Sequence, residues 1–375
     1  MRVLILRTAL AAMALLHGAS ALAVEKHHSQ RAELPRQADP VVFSFATVGD
    51  SRTDAAVATN AQDKLYLQNS RALARIVREI SQQQPQALFF NGDMIMGYTS
   101  DPVEIARQYA YWRGMMAGLM ETGTYVVPVP GNHEMQAKGK DVRGHTTKIA
   151  MADNEAQWRA SMSDLILDTA RWQAVTGVPA LAFDVENTPQ AGSADGNSTS
   201  QKQLSYSFDA ADSHFAVINT DPIGNDGHAP VHWLAQDFER ARARGMHHFF
   251  VFGHKPAYTY RFRAGVENDG MDIFPGHAEA FWQVMEQYGV TYFCGHQHIY
   301  NAQQPALASG GKAWQVMVGS GGSPFSAKEG DGHGPTDRLY AWALVQVHAS
   351  GKVRVTIRGF DADYGPSRTL RTLNY

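Results

Sequence analysis

Short runs of apolar residues alternate along this chain with stretches in which apolar positions recur every three or four residues, and glycine-containing polar turns separate the two. The runs VVFSFATV (41–48), ALFFN (87–91), TYVVPV (124–129), HHFFVF (247–252) and VTYFC (290–294) predict strands. KLYLQNSRALARIVREISQQQ (64–84), the stretch from Pro102 to Met120, WLAQDFERARARG (233–245) and HAEAFWQVMEQYG (277–289) predict helices. Such alternation predicts an α/β fold, a sheet covered by helices with active groups at the strand ends.

Other segments add to this frame. A helical stretch is predicted around Glu155–Ala174, and NTPQAGSADGNSTSQKQ (187–203) reads as a surface loop to which no chemistry is assigned. LSYSFDAADSHFAVINTD (204–221) predicts two strands around a short turn, and LYAWALVQVHASGKVRVTIRGFD (339–361) a hairpin. These later strands suggest a second sheet packed against the first, and no internal repeat breaks up the region.

Composition narrows the class. A chain of 375 residues with 44% hydrophobic content can fill a large core, and residues 41–375 are expected to form one domain behind a short extension at 24–40. The net charge of −3 comes from interspersed signs without a long basic run, so no nucleic-acid-binding surface is evident. Arg2 and Arg7, the apolar stretch Thr8–Leu16, and Ala21 and Ala23 predict a secretory leader at 1–23, and hence a periplasmic or secreted protein. That stretch is too short to cross a membrane, and no other segment approaches the ~20 apolar residues a span needs. The single cysteine, Cys294, excludes an internal disulfide and a lipid anchor at the leader, and its apolar setting predicts a buried, inert thiol.

Candidate chemistry gathers where the predicted strands end. Asp50 and Asp93 follow the first two, Asn132 and His133 the third, His254 the fourth, and His296 and His298 the fifth. Gly-His occurs six times and Gly-Asp three times, so the dipeptides alone say little; His145, His228, His277, Asp331 and His333 follow no such strand. Taken singly, each residue reads as a capping aspartate or a hydrogen-bonded polar histidine. Taken together, groups at the same ends of neighbouring strands converge on one crevice, as a mixed oxygen and nitrogen set suited to divalent Mn, Zn or Fe. The glycine before each group is expected to let the backbone turn sharply and approach an ion closely.

The order GD (49–50), NGD (91–93), GNHE (131–134), GH (253–254) and GHQH (295–298) resembles the calcineurin-like metallophosphoesterase family, which includes the purple acid phosphatases. GHKPAY (253–258) and VGSGGSP (318–324) resemble the purple acid phosphatase branch, and the likeness runs from about residue 41 to 361. It implies a four-layer α/β/β/α sandwich of two mixed sheets flanked by helices, with two divalent or transition metal ions at the strand ends. By position, Asp50 and His298 would hold the first ion, Asp93 would bridge, and Asn132, His254 and His296 would complete the second. His133 would face the leaving group of a small phosphorylated substrate. Two positions depart from the family: Arg52 stands where a ligand histidine is common, and Met96 where the purple branch has a metal-binding tyrosine.

The resemblance implies phosphoric ester hydrolysis by a metal-activated water, with a phosphomonoesterase favoured. The alternatives are a phosphodiesterase acting on nucleotide or lipid head-group diesters and, in another class, a non-catalytic metal- or phosphate-binding protein. Arg52 has no lone pair to offer a metal, so it either clamps substrate phosphate or turns away to pair with a carboxylate such as Asp54. Glu134 either orients a neighbouring group or serves as an ordinary carboxylate at a helix start.

Overall fold

In the computed structural model, β1 (Val41–Val48), β2 (Ala87–Asn91) and β3 (Tyr125–Val129) lie side by side in parallel, so their C-terminal ends point the same way. The structure describes residues 39–140, 143–329 and 337–375; the leader predicted at 1–23 and all but the last two residues of the extension predicted at 24–40 lie outside them. Pro128 has no N–H for a ladder, and β3 accommodates it because it is the edge strand. Beyond β1 the sheet continues antiparallel through β12 (Leu339–His348), β13 (Val353–Asp361) and β14 (Arg368–Asn374).

A second six-stranded mixed sheet holds β6 (Tyr206–Ala210), β7 (Ser213–Val217), β8 (His248–Phe252), β9 (Thr291–Cys294), β11 (Trp314–Val318) and β10 (Tyr300–Gln303), in that order. Strands β7, β8, β9 and β11 run parallel. Period-two alternation gives this sheet two buried faces. Phe250, Phe252 and Phe293 join a core shared with the first sheet, while Val251, Tyr292 and Cys294 join a separate one with helix residues. Phe45 of β1 lies at the centre of the shared core, edge-on to Phe250 and Phe252 with ring centroids 5.1 and 5.6 Å away. Phe89 of β2 stacks on Phe252 at 3.8 Å. Each such buried ring is worth about 1.5–3 kcal/mol relative to an exposed one.

The helices follow their apolar faces and caps. In α2 (Ser70–Gln83), Ala72, Leu73, Ile76 and Ile80 are buried. α3 (Pro102–Glu121) begins with a proline in its first turn, and the Asp101 carboxylate accepts from Val103 N at 2.9 Å. α7 (Val231–Ala243) and α8 (Pro275–Tyr288) bury Phe238 and Phe281 in the second core.

Two predicted helices are each divided. Leu67 adopts a left-handed conformation, and the Asn69 side chain caps a new start by accepting from Ala72 N at 3.1 Å, so α1 (Ala61–Tyr66) is separate from α2. Asp168 does the same between α5 (Ala152–Met162) and α6 (Thr169–Thr176), accepting from Ala170 N and Arg171 N at 3.0 Å. The short α4 (Asn132–Met135) leads into a hairpin of β4 (Gln136–Lys140) and β5 (Thr146–Ala150) that the polar sequences QAKGK and TTKIA do not announce.

A buried ion network fastens α7 to the second sheet. His214 is fully buried; its Nδ1 lies 2.7 Å from Asp209 Oδ1 and its Nε2 3.0 Å from Asp237 Oδ2. Carboxylates accept, so both ring nitrogens donate and the ring is an imidazolium. Burial lowers its pKa, but the two carboxylates raise it more, and Asp237 is held down at about 2. Arg244 pairs with Asp209 and Arg240 with Asp237. Because the folded pKa of His214 exceeds the unfolded value of about 6.5, its contribution is complete below that pH and is lost as pH rises through the folded value. The aspartates contribute above about pH 4, and that part is lost on acidification. Asp237→Asn should therefore cost about 3–5 kcal/mol near pH 6. The stability gap between wild type and His214→Gln, measured by urea denaturation, should narrow from pH 6 to pH 9; a gap independent of pH would refute the charged histidine.

Candidate active site

The C-terminal ends of β1, β2, β3, β8 and β9 bring together all of the residues singled out from the sequence. Asp50 and Asp93 leave β1 and β2 with φ of 60° and 51°, and His296, just beyond β9, has φ of 71°. Left-handed backbone at a non-glycine residue costs on the order of 1 kcal/mol or more, so these side chains are held where the chain would not otherwise put them. This revises the expected role of the glycines. Only Gly92 among those preceding the groups has positive φ; the others are required by close approach. A Cβ on Gly295 would lie 2.0 Å from Asp50 Oδ2, and one on Gly131 2.6 Å from Asp93 N.

Glu134 supplies the local frame. Its Oε2 accepts from Asp93 N at 2.9 Å and Gly131 N at 2.8 Å, and its Oε1 from Ile95 N at 3.1 Å. One buried carboxylate thus ties the loop after β2 to the loop after β3, which makes it an orienting group. Burial, reinforced by Asp93, raises its pKa to about 7.

The donor atoms form two groups that share Asp93. On one side, His254 Nε2 lies 3.1 Å from Asp93 Oδ1 and 3.3 Å from His296 Nδ1, which is 2.9 Å from Asn132 Oδ1. On the other, Asp50, Asp93 and His298 each place one ligand-type atom within 4.8 Å of the others. The remaining ring nitrogens are anchored. His254 Nδ1 donates to Asn91 O at 2.8 Å and His298 Nδ1 to Pro324 O at 2.6 Å, while His296 Nε2 faces Asp269 at 3.4 Å. Asn132 Nδ2 donates to the Tyr98 hydroxyl, which directs its Oδ1 towards His296. Anchoring of this kind presents lone pairs to a cation. The donor set fits two transition-metal ions.

Electrostatics point the same way. Burial drives the Asp50 carboxyl well above its ordinary pKa, and the charge of Asp93 adds to it. Burial also acts on Asp93, but His133, His254 and the Arg52 guanidinium together outweigh it and hold the carboxyl well below the usual range. His254, although buried, is raised to about 10 by Asp93 and Asp50, whereas burial and Arg52 lower His298 to about 3.

Arg52 does not turn away to Asp54. Its Nε lies 3.4 Å from Asp93 Oδ2, its Nη2 donates to His298 Nε2 at 3.3 Å, and its Nη1 lies 3.9 Å from Met96 Sδ. The two departures from the family pattern therefore touch each other. His133 packs on Tyr98 with ring centroids 3.8 Å apart, donates from Nδ1 to Met96 O, and places Nε2 3.6 Å from Asp93 Oδ2. Burial lowers its pKa well below the ordinary value.

Residues 45–300 match the family model for calcineurin-like phosphoesterases. The chain belongs to that family. Among solved structures, this chain resembles purple acid phosphatase PPD1 from yellow lupin (Lupinus luteus) seeds, with TM-score 0.54 and 13% identity over 88% of this chain and 53% of that one. It resembles PhoD with TM-score 0.50 and 13% identity over 89% and 72% of the two chains. At this identity the likeness shows the fold alone, and this chain spans about half the length of the lupin enzyme. No curated protein matches it by sequence. No described helix is long and apolar enough to cross a membrane.

Sequence reasoning missed Tyr98, Asp269 and the Pro324 carbonyl as supports of the site. Tyr98 sits in the irregular stretch MIMGYTS, five residues beyond Asp93, and only tertiary packing returns it to Asn132 and His133. Cys294 is buried and free, as expected of an inert thiol.

Proposed function

We propose that this phosphoesterase is an exported phosphatase that hydrolyses phosphoric monoesters. In this reading Asp50 and His298 would hold one ion, Asn132, His254 and His296 would hold another, and Asp93 would serve both. Bound divalent ions would supply a water acidified towards neutral pH and positive charge for the phosphoryl oxygens. The chain's own residues would do the rest. Glu134 keeps the loops that carry Asp93 and Asn132 in register, and Tyr98 fixes the orientation of the Asn132 amide.

The observation that carries monoester preference is the placement of Arg52. Its guanidinium contacts Asp93 Oδ2 and His298 Nε2, so a permanent cation stands beside the atoms that would face the first ion, and entry of that ion would release it towards substrate phosphate. A monoester has one more non-bridging oxygen and one more negative charge than a diester, and a planar guanidinium binds such a pair of oxygens well. The Met96 carbonyl accepts from His133 Nδ1, so delivery of a proton from Nε2 to a leaving oxygen requires the imidazolium, a form that burial opposes and that the charge of Asp93 and of a bound phosphate favours. Export rests on the leader that the sequence predicts at 1–23.

With the metal-loaded protein, p-nitrophenyl phosphate should be hydrolysed faster than its bis ester, and Arg52→Ala should raise KM for the monoester by about tenfold, or about 1.4 kcal/mol, with weaker inhibition by free phosphate. Faster bis-ester turnover, or an unchanged KM and phosphate inhibition, would overturn the monoester clamp.

His133→Ala should reduce turnover of alkyl phosphates by about 10²–10⁴-fold and of p-nitrophenyl phosphate much less, since a good leaving group needs no proton. Equal losses on the two substrates would contradict proton donation.

A further inference from the structure

The hairpin of β4 and β5 carries a charge arrangement that stability does not explain. Lys138 and Lys148 are register partners directly across the two strands, so their side chains share a face. Like charges so placed repel, and both residues are exposed. Neither has a carboxylate within ion-pair distance among the described residues. The ammonium of Lys148 instead lies 3.8 Å from the centroid of the Tyr98 ring. Burial, and then the positive charge of Arg52, presses its pKa down, while Asp93 and Asp269 favour its charge. Lys148 thus feels the positive charge of both Arg52 and Lys138.

This edge is rooted in the candidate machinery. β4 follows directly from α4, which carries Asn132 and His133. Tyr98 bridges to Ala137, and its carbonyl accepts from Lys138 N at 3.4 Å. The Tyr98 ring thus touches both Lys148 on the hairpin and His133, the group read as facing the leaving oxygen.

We propose that Lys138 and Lys148 form a subsite for a second phosphate, one carried by the leaving group of the substrate. This rests on the phosphomonoesterase reading and narrows it to substrates that place a further phosphate beyond the scissile one, either through an anhydride or on a bisphosphorylated alcohol. In both, the oxygen of water forms a new bond to phosphorus as the bond to the leaving oxygen breaks. The electron pair stays on that oxygen, which takes up a proton when it leaves as an alcohol, and the attacking water gives up one proton to solvent. The leaving phosphate compound departs with its own charge against the two lysines. A dianion between them turns their repulsion into two charge-assisted hydrogen bonds.

The test uses the metal-loaded protein and two matched pairs: ADP against AMP for the anhydride, and fructose 1,6-bisphosphate against fructose 6-phosphate for the ester. In at least one pair, kcat/KM should be about tenfold or more higher for the member whose leaving group is phosphorylated. Lys138→Gln and Lys148→Gln should each cut that preference by about tenfold, Lys148→Arg should retain it, and the remote Lys202→Gln should leave it unchanged. Titration calorimetry with fructose 1,6-bisphosphate should show the same losses in binding. Thermal unfolding checks that each variant is folded. Equal rates within both pairs, or a preference that survives Lys138→Gln combined with Lys148→Gln, would overturn the subsite. Failure of wild type to hydrolyse p-nitrophenyl phosphate as well would overturn the phosphatase reading itself.

Discussion

Two carboxylates, Asp50 and Asp93, are buried side by side at the ends of adjacent strands, with at most 1% of either exposed to solvent. Taking even one carboxylate out of water costs several kcal/mol unless positive charge meets it, and a neighbouring like charge makes the demand greater. Much of the site answers that demand. His254 is kept protonated between them, Arg52 reaches in from β1's end, and Glu134 holds Asp93's backbone in a left-handed turn that the chain would otherwise avoid. Entry of a metal ion would have to displace the proton from His254, so binding should release protons and strengthen as pH rises.

The same demand explains why the fold is stiff just beneath the site. Phe45, Phe89, Phe252 and Phe293 lie two to five residues before Asp50, Asp93, His254 and His296 respectively, and their rings contact one another across the two sheets. A shift of one strand along its neighbour would pull a donor out of the cluster and a ring out of the core together. The register of the strands and the geometry of the donors are thus one constraint, expressed first in packing and then in chemistry.

The legible parts were those written in local pattern. The strand ends and every proposed donor could be read because an apolar run, a glycine and a polar group follow in immediate succession, as at FATVGD and FFNGD. The breaks at Asn69 and Asp168 escaped the reading, although both are good caps, because the apolar period runs on through them. Tyr98, Lys148 and the hold of Glu134 on Asp93 and Ile95 could not have been read locally. Each acts through residues that only the tertiary fold brings near, and KGK and TTK look like any solvated surface. Arg52 was flagged as a departure, but its contact with Met96, the other departure, required the structure.

The claim beneath all of this is that the cluster at the strand ends holds two metal ions bridged by Asp93. Elemental analysis of protein reconstituted separately with Mn, Zn and Fe, on wild type and on Asp93→Asn, tests it most directly. The account predicts roughly two ions per wild-type chain with at least one of these metals and loss of both in the variant, because the bridge loses the charge that neutralises them. Full metal content in a folded Asp93→Asn variant, or none in wild type with any of the three metals, would contradict it.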